Sequence, residues 1–409
     1  MGSNAKLGAA KIAKEDEFYT QYRDIEAEIN AYVEYDPDVF RGKTILLPCD
    51  DPEWSNFTKY FAVNFERFGL KKLISTSYAK GIGNRQLTLF EATSPLFDKT
   101  KHDNRGKLFM LTHDRDGSGM IDTDDIEFSG YLEGDGDFRS PEVCKLRDEA
   151  DIIITNPPFS QFRTKKGKKG FLEWILEAGK KFIIMGNKNA ITYKEVFPLL
   201  MDNKMWVGFT SLNGGRWMVL PKDMEIKSNK AKDDGKGNKI LNVAGVCWFT
   251  NIEHGKRHEQ LLLDTMDHNL KYNKILRQKL EMEYGRIEYP FYDNYDALEV
   301  PLAESIPSDY DGVMGVPITF FDKYNPEQFE IIDITKAGAG NPATKTKKYP
   351  RQVQIGKDGK QSTVTKLNDG ANIVVSTPPA DKTYYIVDNV LYVQTYPRIL
   401  IRPKKGGNL

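Results

Sequence analysis

Four short runs limit this chain more than any other feature: Thr44-Ile45-Leu46-Leu47-Pro48-Cys49, Lys72-Leu73-Ile74-Ser75-Thr76, Ile152-Ile153-Ile154-Thr155 and Lys181-Phe182-Ile183-Ile184-Met185. They are apolar at successive positions rather than at alternate ones. A strand with one wet face alternates, whereas a strand apolar throughout is covered on both faces, the condition of a parallel sheet flanked by helices. Amphipathic stretches separate the runs, so 44–251 reads as an α/β unit with a mostly parallel, doubly wound sheet. Trp206-Val207-Gly208-Phe209 and Val243-Ala244-Gly245-Val246-Cys247-Trp248-Phe249 are joined without an evident helix, which predicts an antiparallel hairpin on the sheet edge.

Between the first two runs, Phe57, Tyr60, Phe61, Asn64, Phe65 and Phe68 recur at steps of three and four, predicting a helix over 54–68 with an aromatic face turned to the core. Gly69 ends it; Asp51 as N-cap and Pro52 in the first helical position would open it. Three polar segments read as insertions unable to hold a core: 100–130, the basic 163–170, and 222–239, which resembles a hairpin tip. After His254 the rhythm changes to an amphipathic helix around 261–280, then tyrosine- and proline-rich sequence with short strands at Tyr384-Tyr385-Ile386-Val387 and Arg398-Ile399-Leu400-Ile401-Arg402. The reading is therefore a catalytic domain over 16–253 and a smaller α+β region over 254–409, preceded by a disordered tag or tail over 1–15.

A chain of 409 residues exceeds what one core usually serves, in keeping with two domains. Lys plus Arg equals Asp plus Glu at 58 each, so attraction to a polyanion has to come from local patches. The three cysteines, at 49, 144 and 247, lack disulfide or zinc spacing and read as buried thiols of a reducing compartment. No uncharged apolar run approaches the roughly 18 residues of a membrane span, and a cytoplasmic protein is expected.

The sharpest chemical signal is Asp151-Ile152-Ile153-Ile154-Thr155-Asn156-Pro157-Pro158-Phe159, a buried strand ending in an Asn-Pro-Pro-aromatic tetrad. The exocyclic N6 of adenine is a weak nucleophile because its lone pair is delocalised into the ring. A catalyst has to favour the charge that develops on nitrogen as a methyl group arrives. The Asn156 side-chain oxygen and the Pro157 carbonyl are two acceptors suited to that; Pro158 stiffens the turn and Phe159 can stack on the base. A base inside a duplex would have to be flipped out to reach such a pocket. The plain alternative is an ordinary turn after a strand.

Doubly wound sheets bind ligands at the carboxyl ends of their strands. There the turn Pro48-Cys49-Asp50-Asp51-Pro52 lacks glycine, yet Cys49, Asp50 and Asp51 are candidates for a cofactor site: Asp50 for the amino group of a methionine moiety, the following helix N-terminus for its carboxylate. The turn Gly134-Asp135-Gly136-Asp137-Phe138 is a second candidate, with Asp137 accepting from an adenine amino group and Phe138 packing on the ring. A capping aspartate and a glycine-rich turn are the simpler readings of the two.

Asp16-Glu17-Phe18-Tyr19-Thr20-Gln21, Cys49-Asp50-Asp51-Pro52 with Ser55-Asn56-Phe57, Gly134-Asp135-Gly136-Asp137-Phe138-Arg139-Ser140, Thr155-Asn156-Pro157-Pro158-Phe159-Ser160 and Gly186-Asn187-Lys188-Asn189-Ala190 occur in this order, and Gly315-Val316-Pro317-Ile318-Thr319-Phe320-Phe321-Asp322, Asn325-Pro326-Glu327-Gln328-Phe329-Glu330 and Arg398-Ile399-Leu400-Ile401-Arg402 come after them. The ordered set resembles the EcoRI adenine-specific DNA methyltransferase family over nearly the whole chain. The resemblance implies a Rossmann-like methyltransferase domain, S-adenosylmethionine as cofactor, duplex DNA as partner and a carboxyl-terminal target-recognition region. It raises a cognate restriction endonuclease as a partner that shares the site without direct contact. It also implies that Phe18, Tyr19 and Thr20 complete the cofactor pocket and that Asp137 and Phe138 form its adenine side. The chain departs from the common pattern in its glycine-free first loop and in having no acid at Ser75-Thr76-Ser77-Tyr78 to hold the ribose hydroxyls.

Arg163, Lys165, Lys166, Lys168 and Lys169 lie just after the tetrad and are candidates for phosphate contacts beside a flipped nucleotide; a solvated loop is the alternative. Residues 114–125 have the spacing of an EF-hand loop, but with aspartate last and a strand before it; methyl transfer to nitrogen requires no metal, and none is expected. The rival functions are a guanine-N2 methyltransferase of ribosomal RNA and a catalytically idle DNA-binding module.

Overall fold

The computed structural model describes residues 19–52, 55–79, 94–165, 167–220, 231–235 and 237–404. The expected tail over 1–15 and Phe18 of the amino-terminal motif lie outside them, as does Lys166 of the basic loop. The chain divides into two compact units, one of residues up to Lys188 with Val207–Gly255, the other of Asn189–Trp206 with residues from Lys256 onward.

In the first unit, β1 (Tyr19–Thr20) and α1 (Tyr22–Tyr35) precede β2 (Thr44–Leu47), α2 (Asn56–Val63), α3 (Phe65–Phe68) and β3 (Lys72–Ser77). Next come β4 (Lys107–Leu111), β5 (Glu127–Tyr131), α4 (Pro141–Glu149), β6 (Ile152–Thr155), α5 (Phe171–Glu177), β7 (Lys181–Asn187) and the two-residue β8 (Trp206–Val207), of which Val207 belongs to this unit. Strands β9 (Gly215–Val219), β10 (Ala231–Asp233), β11 (Lys239–Ala244) and β12 (Val246–Thr250) complete the series. The large sheet has the order β5-β4-β3-β2-β6-β7-β12-β8. Its centre is parallel: Leu46 of β2 faces Ile74 of β3 and Ile153 of β6, and Ile154 of β6 faces Ile183 of β7. These are the four apolar runs, and their side chains are buried on both faces as expected.

The flanks correct the expectation of a mostly parallel sheet. Strand β4 runs antiparallel to β3, β5 antiparallel to β4, and β12 antiparallel to β7, so the sheet is mixed. The segment 100–130 is likewise more than an insertion. Phe109, Leu111, Ile126 and Phe128 from β4, β5 and the residue before β5 enter the main core, leaving only the loop between the strands polar. Burial alternates along β4, with Lys107, Phe109 and Leu111 buried and Leu108 and Met110 half-buried, because successive side chains point to opposite faces. The Val243–Phe249 run breaks at Gly245, whose positive φ of 77° separates β11 from β12. Strand β12 lies beside β8 at the edge, while β11 joins a second sheet, β1-β9-β11-β10. The expected hairpin tip is the turn between β10 and β11; 221–230 lie outside the described residues.

The helix expected over 54–68 is two pieces, α2 and α3, meeting at Asn64 and closed by Gly69 in the left-handed conformation. Its cap is Ser55, not Asp51: the Ser55 Oγ accepts from Phe57 N at 3.1 Å, and the expected start at Trp54 lies outside the described residues. The aromatic face packs as foreseen, with Phe61 edge-on to Phe40 at 5.7 Å and Phe57 edge-on to Trp248 at 5.7 Å. Each buried ring contributes about 1.5–3 kcal/mol of transfer free energy. Of the cysteines only Cys247 is buried; Cys49 and Cys144 are half-buried and all three are free thiols.

In the second unit the helix expected near 261–280 is α6 (Met266–Tyr272) and α7 (Lys274–Tyr284), divided at Asn273, which caps α7. Its strands are β13 (Leu298–Glu299), β14 (Met314–Pro317), β15 (Phe329–Ile334), β16 (Gln352–Ile355), β17 (Gln361–Val364), β18 (Asn372–Val375), β19 (Tyr384–Val387), β20 (Val390–Gln394) and β21 (Arg398–Pro403). They form two sheets, β13-β14-β21-β15 and β17-β16-β19-β20-β18. Among the described residues no helix is long and apolar enough to cross a membrane.

Candidate active site

Strand β6 runs through the middle of the parallel sheet, so the residues after it emerge at the carboxyl rim beside the ends of β2 and β7. Those residues are the tetrad. Thr155 is fully buried, Asn156 half-buried, Pro157 buried, and Pro158 and Phe159 half-buried. Phe159 rests on the main core and begins a 3-10 turn, Phe159–Gln161, in which Gln161 N donates to Pro158 O at 2.9 Å. The turn follows directly on the tetrad and leaves Asn156, Pro158 and Phe159 half-buried.

The neighbouring rim is the turn after β2. Pro48 is buried, and Cys49 has a φ of 72°, a left-handed conformation that is sparse outside glycine and concentrates at functional turns. Cys49 N approaches the Thr76 hydroxyl on β3 at 3.4 Å. Asp50 points inward and is 6% exposed. Its Oδ1 accepts from the Ser55 hydroxyl at 2.7 Å, and its Oδ2 lies 2.5 Å from the Thr155 hydroxyl. The Asp50 carbonyl accepts from the hydroxyls of Thr58, at 3.0 Å, and Ser75. Burial pushes the Asp50 carboxyl up to about 7, against the pull of Thr155 and Ser55. Thr155 Oγ1 also lies 2.8 Å from Pro48 O, and one hydroxyl proton cannot serve both. A protonated Asp50 donating to Thr155 frees that proton for Pro48, which suits the raised pKa. Asp51 is half-buried beside it, its carbonyl accepting from Ser55 N at 2.7 Å. Through Thr155 the turn after β2 is bonded to the residue before Asn156.

Thr20 joins the same rim. Its carbonyl accepts from Asn56 Nδ2, the first residue of α2, at 2.7 Å, and its hydroxyl contacts Met185 Sδ on β7 at 3.1 Å. Tyr19 and Thr20 are held in place as β1 by pairing with Val219 and Met218 of β9.

The loop before α4 is tied to the tetrad by an arginine. Asp137 Oδ1 accepts from Arg139 Nε at 2.7 Å and Oδ2 from Arg139 Nη2 at 2.6 Å, a bidentate pair. The same Nη2 donates to Gln161 Oε1 at 2.9 Å. Burial opposes the charge on Asp137, but Arg139 outweighs it and the carboxyl pKa is lowered. Phe138 is 3% exposed, edge-on to Phe171 at 5.1 Å and to Trp174 at 5.5 Å, with the Arg139 guanidinium 4.7 Å from its ring centroid. Asp135 is exposed, and its Oδ1 accepts from Asp137 N at 3.0 Å.

The basic loop is a tight hairpin. Lys165 and Lys168 exchange backbone hydrogen bonds of 3.1 and 2.9 Å, and a Cβ on Gly170 would sit 2.2 Å from the Arg163 carbonyl carbon. Lys169 pairs with Glu177 at 2.5 Å, Lys165 Nζ donates to Ser160 O at 3.2 Å, and Lys168 is exposed. In the 114–125 loop, oxygens of Asp114, Asp116 and Asp125 lie within 4.8 Å of one another. The Asp125 carboxylate accepts from the backbone N–H groups of Arg115, Asp116 and Asp122 at 2.7, 3.2 and 3.0 Å and closes the loop by those bonds.

The structure therefore brings Thr20, Cys49, Asp50, Asp51, Asp135, Asp137 and the tetrad to one unit. Of the residues that link these segments, Ser55, Thr155 and Arg139 stood in the sequence only as members of its motifs, with no role assigned, and Gln161 was not singled out. Their signal was faint: a serine before an aromatic helix, the threonine that ends β6, and an arginine two residues after an aspartate.

The family model described as "Adenine-specific methyltransferase EcoRI" matches residues 6–404. The chain is 41% identical to Type II methyltransferase M.EcoRI of Escherichia coli over 335 residues, 82% of this chain and 90% of that protein. It is 32% identical to Type II methyltransferase M.MpnI of Mycoplasma pneumoniae and to M.MgeORF184P of Mycoplasma genitalium, each over 326 residues, 79% of this chain and 84% of theirs. No solved structure matches. With an Asn-Pro-Pro-Phe tetrad on the central strand and a family match over almost its whole length, the chain belongs to the EcoRI family of adenine-specific methyltransferases.

Proposed function

We propose that the enzyme methylates N6 of an adenine flipped out of duplex DNA, with Asn156, Pro157, Pro158 and Phe159 forming the catalytic pocket. The observation that carries this reading is the bond from Asp50 to Thr155, which joins the turn after β2 to the tetrad. The donor set fits S-adenosylmethionine. A buried carboxylate at Asp50, the N-terminus of α2, the carboxylates of Asp135 and Asp137, and a backbone bent sharply at Cys49 match a ligand with a cationic end, a carboxylate, a ribose and an adenine. When bound, that cofactor supplies a methyl group made electrophilic by its cationic sulfur.

The chain's own residues do the rest. The Asn156 Oδ1 and the Pro157 carbonyl accept the two hydrogens of the target amino group, favouring charge on N6 as the new bond forms. Phe159 stacks on the base, and the Pro157-Pro158 turn fixes the angle of approach. Thr20, Cys49, Asp50, Asp51, Asp135, Asp137 and Phe138 build the cofactor side together with Phe18 and Tyr19. Asp50 orients the turn, and Arg139 ties the adenine-side loop to Gln161. No covalent enzyme intermediate is required. Residues 254–409 serve as the target-recognition region, and Arg163, Lys165, Lys166, Lys168 and Lys169 meet phosphates. The Type II names of the relatives suit a chain that shares its site with a restriction endonuclease without touching it.

Incubation of the enzyme with labelled cofactor and either duplex DNA or structured RNA tests the reading. Label in N6-methyladenine of the duplex is expected; label in guanine of the RNA would overturn it. Neutralising Lys165 and Lys168 should flatten the salt dependence of DNA binding by about one to two phosphate contacts, and an unchanged slope would remove the loop from the interface.

A further inference from the structure

Strand β3 ends in Ser75-Thr76-Ser77-Tyr78, where the common methyltransferase pattern has an acid for the ribose hydroxyls. Another segment brings a carboxylate to that strand end. Ala79 N donates to Asp135 O at 2.6 Å, pinning the loop before α4 against the chain that leaves β3. Gly136, with a φ of +87°, lies so close that a Cβ there would sit 2.3 Å from Ser77 O; a Cβ on Gly106 would sit 2.7 Å from Gly136 Cα. Two glycines thus permit an approach no other residue would, and the result is a fixed loop. Within it the two acids differ. Asp137 is occupied by both arms of Arg139. Asp135 is exposed and meets the Tyr78 hydroxyl, whose pKa is raised by burial and by Asp135. Thr76, two residues before Tyr78, accepts from Cys49 N in the turn after β2, so the strand end to which this loop is pinned also touches the proposed cofactor turn.

We propose that Asp135, oriented by Tyr78, receives the ribose hydroxyls of the cofactor, doing from the loop before α4 what an acid at the end of β3 does elsewhere. A carboxylate accepts from two vicinal hydroxyls at once, which neither Tyr78 nor the hydroxyls of Ser77 and Thr76 can do. The inference rests on the cofactor reading above.

Calorimetric titration of the full chain with S-adenosylhomocysteine and with its 2′,3′-dideoxy analogue separates the two. The unaltered chain should prefer the natural ligand by about tenfold or more, as expected for charge-assisted hydrogen bonds to both hydroxyls. Asp135→Asn should weaken the natural ligand by about that factor and leave the analogue nearly unchanged. Asp137→Asn should weaken both ligands alike and keep the preference. Should Asp135→Asn fail to fold, Tyr78→Phe carries the test, with the preference reduced roughly threefold, the size of one hydrogen bond that orients the acid. A preference absent from the unaltered chain, or unchanged in Asp135→Asn or Tyr78→Phe, overturns the proposal. Failure of the unaltered chain to bind either ligand overturns the cofactor reading itself.

Discussion

Asp50 and Glu299 are both buried carboxylates, one at the rim of the methyltransferase sheet and one inside the second unit, and their surroundings are opposite. Glu299, fully buried, accepts from Arg398 Nε at 3.1 Å and Nη2 at 2.7 Å, from Tyr284 Oη at 3.0 Å and from Tyr292 Oη. Burial alone would lower the Arg398 pKa, yet Glu299 raises it. Asp50 has hydroxyl partners, and among the described residues no cation pairs with it. A carboxylate that serves only the fold is given a counter-charge, because an unpaired buried charge is expensive. The cofactor role proposed for Asp50 asks for the opposite, since an acid without a counter-charge is left to respond to a cationic ligand. On the proposed reading, the difference separates an acid that fixes structure from one that prepares a site.

The largest effect should come from breaking the structural pair. Arg398→Met leaves Glu299 buried without its cation and should cost about 3–5 kcal/mol in denaturant unfolding, while a Glu299→Leu/Arg398→Met double variant should recover most of the loss. A single variant as stable as the unaltered chain would end the contrast. Asp50→Asn comes next. An acid whose folded pKa is raised from 3.8 to about 7 binds its proton more tightly folded than unfolded. Its favourable contribution is complete below the unfolded value and is lost as pH rises through about 7. Unfolding free energies between pH 4 and 8 should therefore shift in favour of Asp50→Asn as pH rises, by up to about 4 kcal/mol at roughly 1.4 kcal/mol per pKa unit. Parallel profiles would mean Asp50 stays charged throughout. Thr155→Val is the smallest change. Losing the hydroxyl should raise the Asp50 pKa further and destabilise by about 1–2 kcal/mol at pH 8, where the charged carboxylate loses a donor, with less loss at pH 4, where a neutral Asp50 loses only a neutral hydrogen bond. Equal losses at the two pH values would sever Thr155 from the ionisation of Asp50.

The central strands were legible because being covered on both faces leaves a local trace: three successive apolar residues in β2, Ile45 to Leu47, and three in Ile152–Ile154 before Thr155. Strand direction leaves none. Whether β4 runs with or against β3 depends on how the chain returns, so the mixed sheet and the core role of Phe109 and Phe128 came only with the fold. The tetrad was legible because its chemistry is contiguous. The bonds that set its surroundings span 105 residues from Asp50 to Thr155 and 22 from Arg139 to Gln161, and pairings of that kind are written in no local pattern. Glu299 and Arg398, 99 residues apart, were invisible for the same reason.

The tetrad remains the point on which the rest turns, and Asn156→Ala examines it most directly. Methyl transfer to duplex DNA under single-turnover conditions should fall by about 10²-fold or more, the usual cost of losing one preorganised hydrogen-bonding group in a site, while calorimetric affinity for S-adenosylhomocysteine stays as it was. Methylation near the unaltered rate would contradict the account.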